Sequence, residues 1–271
     1  MSNLGLRVLS AVAAISLLFG AIAAFGVTGL KALVFLVVFV GNLELAKILF
    51  PPEKSPSIFF RLFPIFSFCV FCSLALIPES GVLVFAFASV LISALILHLG
   101  HANWPPNEIS FLISRSILGV FYAAVLPYCA YSILSLEDGI NWFLGFLLIV
   151  FSGDIGGYFG GLLFGKTPLM PEFSPKKTWE GAICGLILSS LSGAVLAGWL
   201  GTPLLPMISL AVASGAVGQM GDMFESLLKR VASVKDSGKM LPGHGGVLDR
   251  IDAVIFASPV FLTGAALLQS L

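Results

Sequence analysis

Residues 226–252 read SLLKRVASVKDSGKMLPGHGGVLDRID, a polar stretch between two apolar runs at 203–225 and 247–270. Each run is about the 20 residues that an α-helix needs to cross a bilayer. The stretch therefore reads as a loop joining two membrane spans. Working outward with the same window places further spans near 4–25, 29–49, 58–78, 81–99, 111–134, 140–163 and 179–200. The expected fold is all-α, a polytopic integral membrane protein of about nine transmembrane helices. Composition agrees: 58% of the residues are hydrophobic and 10% charged, more apolar than a soluble core requires. The net charge is zero, so no basic excess points to nucleic acid.

Prolines mark the loops. Pro51-Pro52-Glu53-Lys54-Ser55-Pro56 cannot continue a helix, and breaks follow at His101–Asn107 and Lys166–Thr178. The apolar run after Arg7 could pass for a secretory signal, but further spans follow it, so it reads as a retained first span. Cys69, Cys72, Cys129 and Cys184 all fall in apolar runs and read as small hydrophobes rather than disulfides or metal ligands. His98, His101 and His244 are too scattered for a histidine metal site.

The basic residues set orientation. Arg7, Lys47, Lys54, Arg61, Arg115, Lys166, Lys176, Lys177, Lys229, Arg230, Lys235 and Lys239 fall at the N-terminus or at loops after even-numbered spans; only Lys31 lies by an odd one. The positive-inside rule then puts those loops in the cytoplasm. Loops 164–178 and 226–246 come out on the same side. The chain divides into N-terminal transmembrane helices, 1–110, and a C-terminal region, 111–271, that carries the chemistry.

Carboxylates within or at the ends of spans need partners, because a bare one in hydrocarbon costs at least a few kcal/mol. They are Glu44, Asp154, Glu180, Asp222, Glu225, Asp249 and Asp252. Asp249 and Asp252 are three apart and share a helix face, as do Asp222 and Glu225. Two facing acid pairs repel unless a cation lies between them. Hard oxygen ligands without thiolate or imidazole point to Mg²⁺, whose other ligands are commonly substrate phosphates. The same spacing also allows plain pairing with Lys229, Arg230 and Arg250. Ser174-Pro175-Lys176-Lys177-Thr178 offers hydroxyls, two cations and a helix N-terminus to a phosphate, or simply a basic loop to anionic lipid heads. The glycines Gly156, Gly157, Gly160 and Gly161 read as helix packing. In the last loop, Pro242-Gly243-His244-Gly245-Gly246 can turn tightly and present bare N–H groups to an anion. Together these describe a membrane-embedded site for phosphoryl or nucleotidyl transfer to a lipid.

Ser226, Lys229-Arg230, Lys235-Asp236 and Pro242 through Asp252 resemble the signature of the phosphatidate cytidylyltransferase (CDP-diacylglycerol synthase) family. Asp154, Lys166, Ser174–Thr178, Glu180-Gly181 and Gly221-Asp222 are similar to its surrounding positions; the N-terminal half adds only hydrophobicity. The resemblance implies transfer of CMP from CTP to phosphatidic acid, giving CDP-diacylglycerol and pyrophosphate, with Mg²⁺ and room for a second cation, K⁺ among the candidates. It implies a homodimer in the inner (plasma) membrane, multi-pass, with its active site facing the cytoplasm. Asp222 and Asp249 would be the principal metal ligands, with Asp252, Asp154 and Glu225 as further acids. Lys235, Asp236, His244 and Arg250 would join Asp222 and Asp249 in catalysis. Ser174, Lys176, Lys177, Thr178, Lys229, Arg230, Lys239, Gly245 and Gly246 would hold the substrates' phosphates. A secondary transporter and a CTP-dependent lipid kinase are the alternatives from other classes.

Overall fold

A computed structural model describes residues 3–51, 57–102, 104–172, 174–241, 243 and 245–270. The chain is helical nearly throughout. In order come α1 (Asn3–Leu49), α2 (Ser57–Leu76), α3 (Gly81–Gly100), α4 (Pro106–Val120), a π-helical segment (Phe121–Val125) and α5 (Leu126–Ile133). After them come α6 (Gly139–Phe164), strands β1 (Pro168–Met170) and β2 (Ser174–Thr178), α7 (Trp179–Leu200), α8 (Leu204–Val231) and α9 (Leu248–Gln269). Among the described residues, eight helical segments are long and apolar enough to cross a membrane, with α4, the π segment and α5 counted as one.

The difference from about nine spans lies in α1. Straight, its 47 residues would run roughly 70 Å, twice the hydrocarbon thickness. It is not straight: Gly26 adopts φ 58°, ψ −135°, and the backbone of Gly29 comes back against the Ala21 carbonyl. The two expected spans are thus present, joined without a loop.

Two further boundaries differ. α8 runs on to Val231, so Ser226, Lys229 and Arg230, expected in the loop, are helical. Charges lower the hydropathy of this last turn, yet Lys229 and Arg230 suit a helix C-terminus, where the macrodipole is negative. The loop at 164–178 contains an antiparallel hairpin of β1 and β2.

Apolar side chains lie outside as well as in: Val82, Leu83 and Phe87 on α3 are each at least 70% exposed, as a lipid-facing surface requires. Inside there are two clusters. One gathers Phe50, Phe71, Ile96 and Tyr122 with Leu248 and Ile255; the other gathers Trp142, Phe146, Leu196 and Met207 with Val254, Ala257 and Phe261. α9 contributes to both. Its polar start is thereby fixed where the clusters meet.

Candidate active site

The site begins with a close helix crossing. A Cβ on Gly221 would lie 2.8 Å from the Asp252 carbonyl oxygen, and one on Gly218 3.3 Å from that of Ala253. Backbone thus packs on backbone, bringing the first turns of α9 against the last turns of α8. On α8, Asp222, Glu225 and Lys229 are three and four apart and line one face. Glu225 is fully buried and Asp252 nearly so, and the Asp252 carboxylate is within electrostatic reach of both Glu225 and Asp222. Lys229 Nζ donates to Glu225 Oε2 at 2.5 Å and to Asp249 Oδ1 at 2.7 Å. Glu225 Oε1 finds no hydrogen-bond partner among the described residues.

Asp249 organises the loop after α8. Its Oδ2 accepts the N–H of Ser237 at 2.9 Å and that of Gly246 at 2.8 Å, which ties two distant points of the loop to the start of α9. Between them the Leu241 N–H donates to the Gly245 carbonyl at 2.9 Å and closes a tight turn. Gly243 (φ 78°) and Gly245 (φ 85°) hold left-handed conformations that favour glycine. A Cβ on Gly245 would also lie 2.7 Å from Asp249 Oδ2. His244, expected in catalysis, and Pro242, expected to begin the turn, lie outside the described residues. Lys235, Asp236 and Lys239 are on the exposed side of this loop, and Arg230 and Arg250 are exposed at the helix ends flanking it.

The hairpin reaches the same cleft. Lys177 on β2 forms an ion pair with Asp222, joining the loop after α6 to the end of α8. Asp154 on α6 is exposed and in electrostatic reach of Asp222, Lys177 and Arg250. Lys176 is exposed and Ser174 half-buried beside it. Thr178 serves the fold, since its Oγ1 accepts the Gly181 N–H at 3.2 Å and caps α7. Glu180 accepts from the Lys166 and Thr167 N–H groups and the Thr167 hydroxyl, fixing where the hairpin leaves α6.

One contributor comes from α1. Glu44, 3% exposed, accepts from the Leu248 N–H at 2.9 Å and the Ser237 hydroxyl at 3.2 Å through Oε2. A Cβ on Gly246 would sit 2.5 Å from the same oxygen, and one on Gly238 would collide with the carboxyl group. These glycines are bare because Glu44, an acid on the distant helix α1, lies against them. The signal in the sequence was a carboxylate inside an apolar span; its partners were not legible there.

Asp154, Asp222, Glu225, Asp249 and Asp252 face Lys177, Lys229 and Arg250 across this cleft, an excess of negative charge. Among the described residues no three potential ligands converge at metal-binding geometry. Lysine ammonium groups lie on Asp222, Glu225 and Asp249 instead. The donor set still fits a hard divalent cation: oxygen ligands, surplus negative charge, and a buried Glu225 oxygen without a donor. Long flexible lysines beside such a set can neutralise phosphates.

Fold and cleft define a polytopic membrane protein with a carboxylate-and-lysine site at its helix ends. Comparison narrows the class. The profile of the cytidylyltransferase family matches residues 5–268, and the chain belongs to that family. Phosphatidate cytidylyltransferase of Mycobacterium bovis is 37% identical over 166 residues, covering 58% of this chain and 51% of its own. That of Helicobacter pylori is 39% identical over 146 residues, covering 54% of each. That of Haemophilus influenzae is 38% identical over 172 residues, covering 58% of each. The matches span about half the length of these relatives.

Proposed function

We propose that the protein transfers CMP from CTP to phosphatidic acid, giving CDP-diacylglycerol and pyrophosphate for phospholipid biosynthesis. The observation that carries this reading is the convergence of Lys177 and Lys229 with Asp222, Glu225 and Asp249 in one cleft of a cytidylyltransferase-family chain. The similar phosphatidate cytidylyltransferases name the substrates. Positive-inside loops favour a cytoplasmic site in the inner (plasma) membrane, where CTP is present, and the family resemblance favours a homodimer.

A phosphatidate oxygen attacks the α-phosphorus of CTP, a P–O bond to the lipid forms, and the bond to pyrophosphate breaks. The nucleophile is already ionised at neutral pH, so the site needs no strong base. It must bring one anion to another, in line. Lys177 and Lys229 leave their carboxylates for the phosphates, with Lys176, Arg230, Lys235 and Lys239 at the rim. The left-handed Gly243 and Gly245, with the Gly246 N–H held by Asp249, fix where the start of α9 meets the cleft. Asp222, Asp249, Glu225 and Asp252, with Asp154 beside them, would hold Mg²⁺, which neutralises developing charge on the leaving pyrophosphate. The acids leave room for a second cation, such as K⁺.

The test is pyrophosphate release by purified protein with CTP, Mg²⁺ and phosphatidic acid. Asp249→Asn keeps the shape of the side chain but removes its charge, and a fall in turnover of at least 100-fold is expected. CDP in place of pyrophosphate would mean lipid kinase chemistry; no nucleotide consumption would favour transport.

A further inference from the structure

A second cleft lies toward the end of α8, between it, α4 and the end of α1. It has a volume of about 270 Å³ and is lined by Leu49 at the end of α1, Phe111, Arg115 and Leu118 of α4, and Leu228 and Val231 of α8. Apart from Arg115 and Ser114, whose hydroxyl donates to the Ser110 carbonyl, the lining is apolar; Phe111, Leu118 and Val231 are 56%, 40% and 61% exposed, so the walls are open to the surroundings. The volume falls just below the roughly 300–1,000 Å³ of pockets that enclose a whole small molecule. It suits a length of hydrocarbon chain.

Arg115 sets the polarity. One N–H donates to the Leu49 carbonyl at 2.5 Å, and the guanidinium lies 4.2 Å from the centre of the Phe111 ring. A guanidinium carries five N–H donors in a planar fork suited to phosphate. Among the described residues no carboxylate pairs with Arg115, and its other donors have no partner. The cleft sits where α1 and α8 both end, the level at which headgroups lie. A cation at that depth above an apolar groove complements an anionic lipid, phosphate on the fork and chain in the groove.

We infer that this groove is a binding site for an anionic bilayer phospholipid, held by Arg115 through its phosphate and by α4 and α8 through one acyl chain. It is separate from the catalytic cleft, because Lys229 faces the acids while Leu228 and Val231 face the groove. Bound lipid would tie α4 to the helix that carries Asp222 and Glu225.

The test is thermal unfolding of the full chain in detergent with phosphatidylglycerol or phosphatidylcholine added. Phosphatidylglycerol is not the acceptor of the proposed reaction, so binding is read without turnover. Wild-type protein should gain roughly 3 °C or more from phosphatidylglycerol and little from phosphatidylcholine. Arg115→Gln should lose that gain. Leu118→Trp, which fills the groove and leaves Arg115 in place, should lose it too and guards against a folding defect in the first variant. Equal gains from both lipids, or an undiminished gain in Leu118→Trp, would overturn the assignment. So would a change from dimer to monomer in Leu118→Trp, which would make the groove a subunit contact.

Discussion

Glu44 holds the loop between α8 and α9 from a helix that no sequence pattern associates with it. Its Oε2 receives the Leu248 N–H and the Ser237 hydroxyl, both buried. Glu44→Ala leaves two donors without an acceptor, at about 1–3 kcal/mol each. Glu44→Gln removes the charge and keeps an acceptor at the Oε2 position, its NH2 taking the place of Oε1, which has no hydrogen-bond partner among the described residues. The expected result is a large loss of activity and thermal stability in the alanine variant and near-normal stability in the glutamine variant, read by unfolding and turnover together. Lys177 gives the opposite pattern. Its ion pair with Asp222 is about a third exposed on both sides and contributes at most about 1 kcal/mol. Lys177→Met should therefore barely change the unfolding temperature, yet raise the KM for CTP or lower turnover at least tenfold. A variant that lost stability but kept full activity would remove Lys177 from the site.

The pairing of α6 with α7 depends on small residues. A Cβ on Gly156 would lie 2.8 Å from the Cys184 carbonyl oxygen and 2.9 Å from the Leu188 Cβ; one on Gly185 would lie 2.7 Å from the Gly153 carbonyl. Gly156→Leu should force the helices apart at about 1–3 kcal/mol or more. Gly198→Ala on α7, where nothing lies within 4 Å, should stay within about 0.5 kcal/mol. Comparing the two unfolding temperatures separates packing from glycine content. The Gly156 spacing was legible in the sequence because close helix approach in a membrane needs small residues at fixed intervals. The spans were legible for a similar reason, each being one long apolar window. What hydropathy could not reveal were features set by single backbone conformations or distant contacts. Gly26 reverses α1 without a polar loop to mark it, and α8 carries its helix through charged residues up to Val231. The acids of the cleft were identifiable as costly residues in need of partners. That Asp249 would accept two loop N–H groups while Glu44 took a third depends on how the chain folds.

The cleft draws on α1, α6, β2, α8 and α9, and these must present their charged ends on one side of the bilayer. The Lys177–Asp222 pair requires this for the hairpin and the end of α8. α6 has 26 residues and spans roughly 39 Å, enough to cross the hydrocarbon, so Glu137 before it lies at the opposite face from Lys176 after it. Basic residues cluster at the hairpin end, which the positive-inside rule places in the cytoplasm. With Cys69, Cys72, Cys129 and Cys184 replaced by serine or alanine, Glu137→Cys should react with an impermeant maleimide in intact cells. Lys176→Cys and Lys239→Cys should react only after permeabilisation. If Lys176→Cys and Lys239→Cys reacted from opposite sides, the two loops could not share a cleft. If both reacted from outside, CTP could not reach the lysines, and cytidylyl transfer at this site would fail on topology alone.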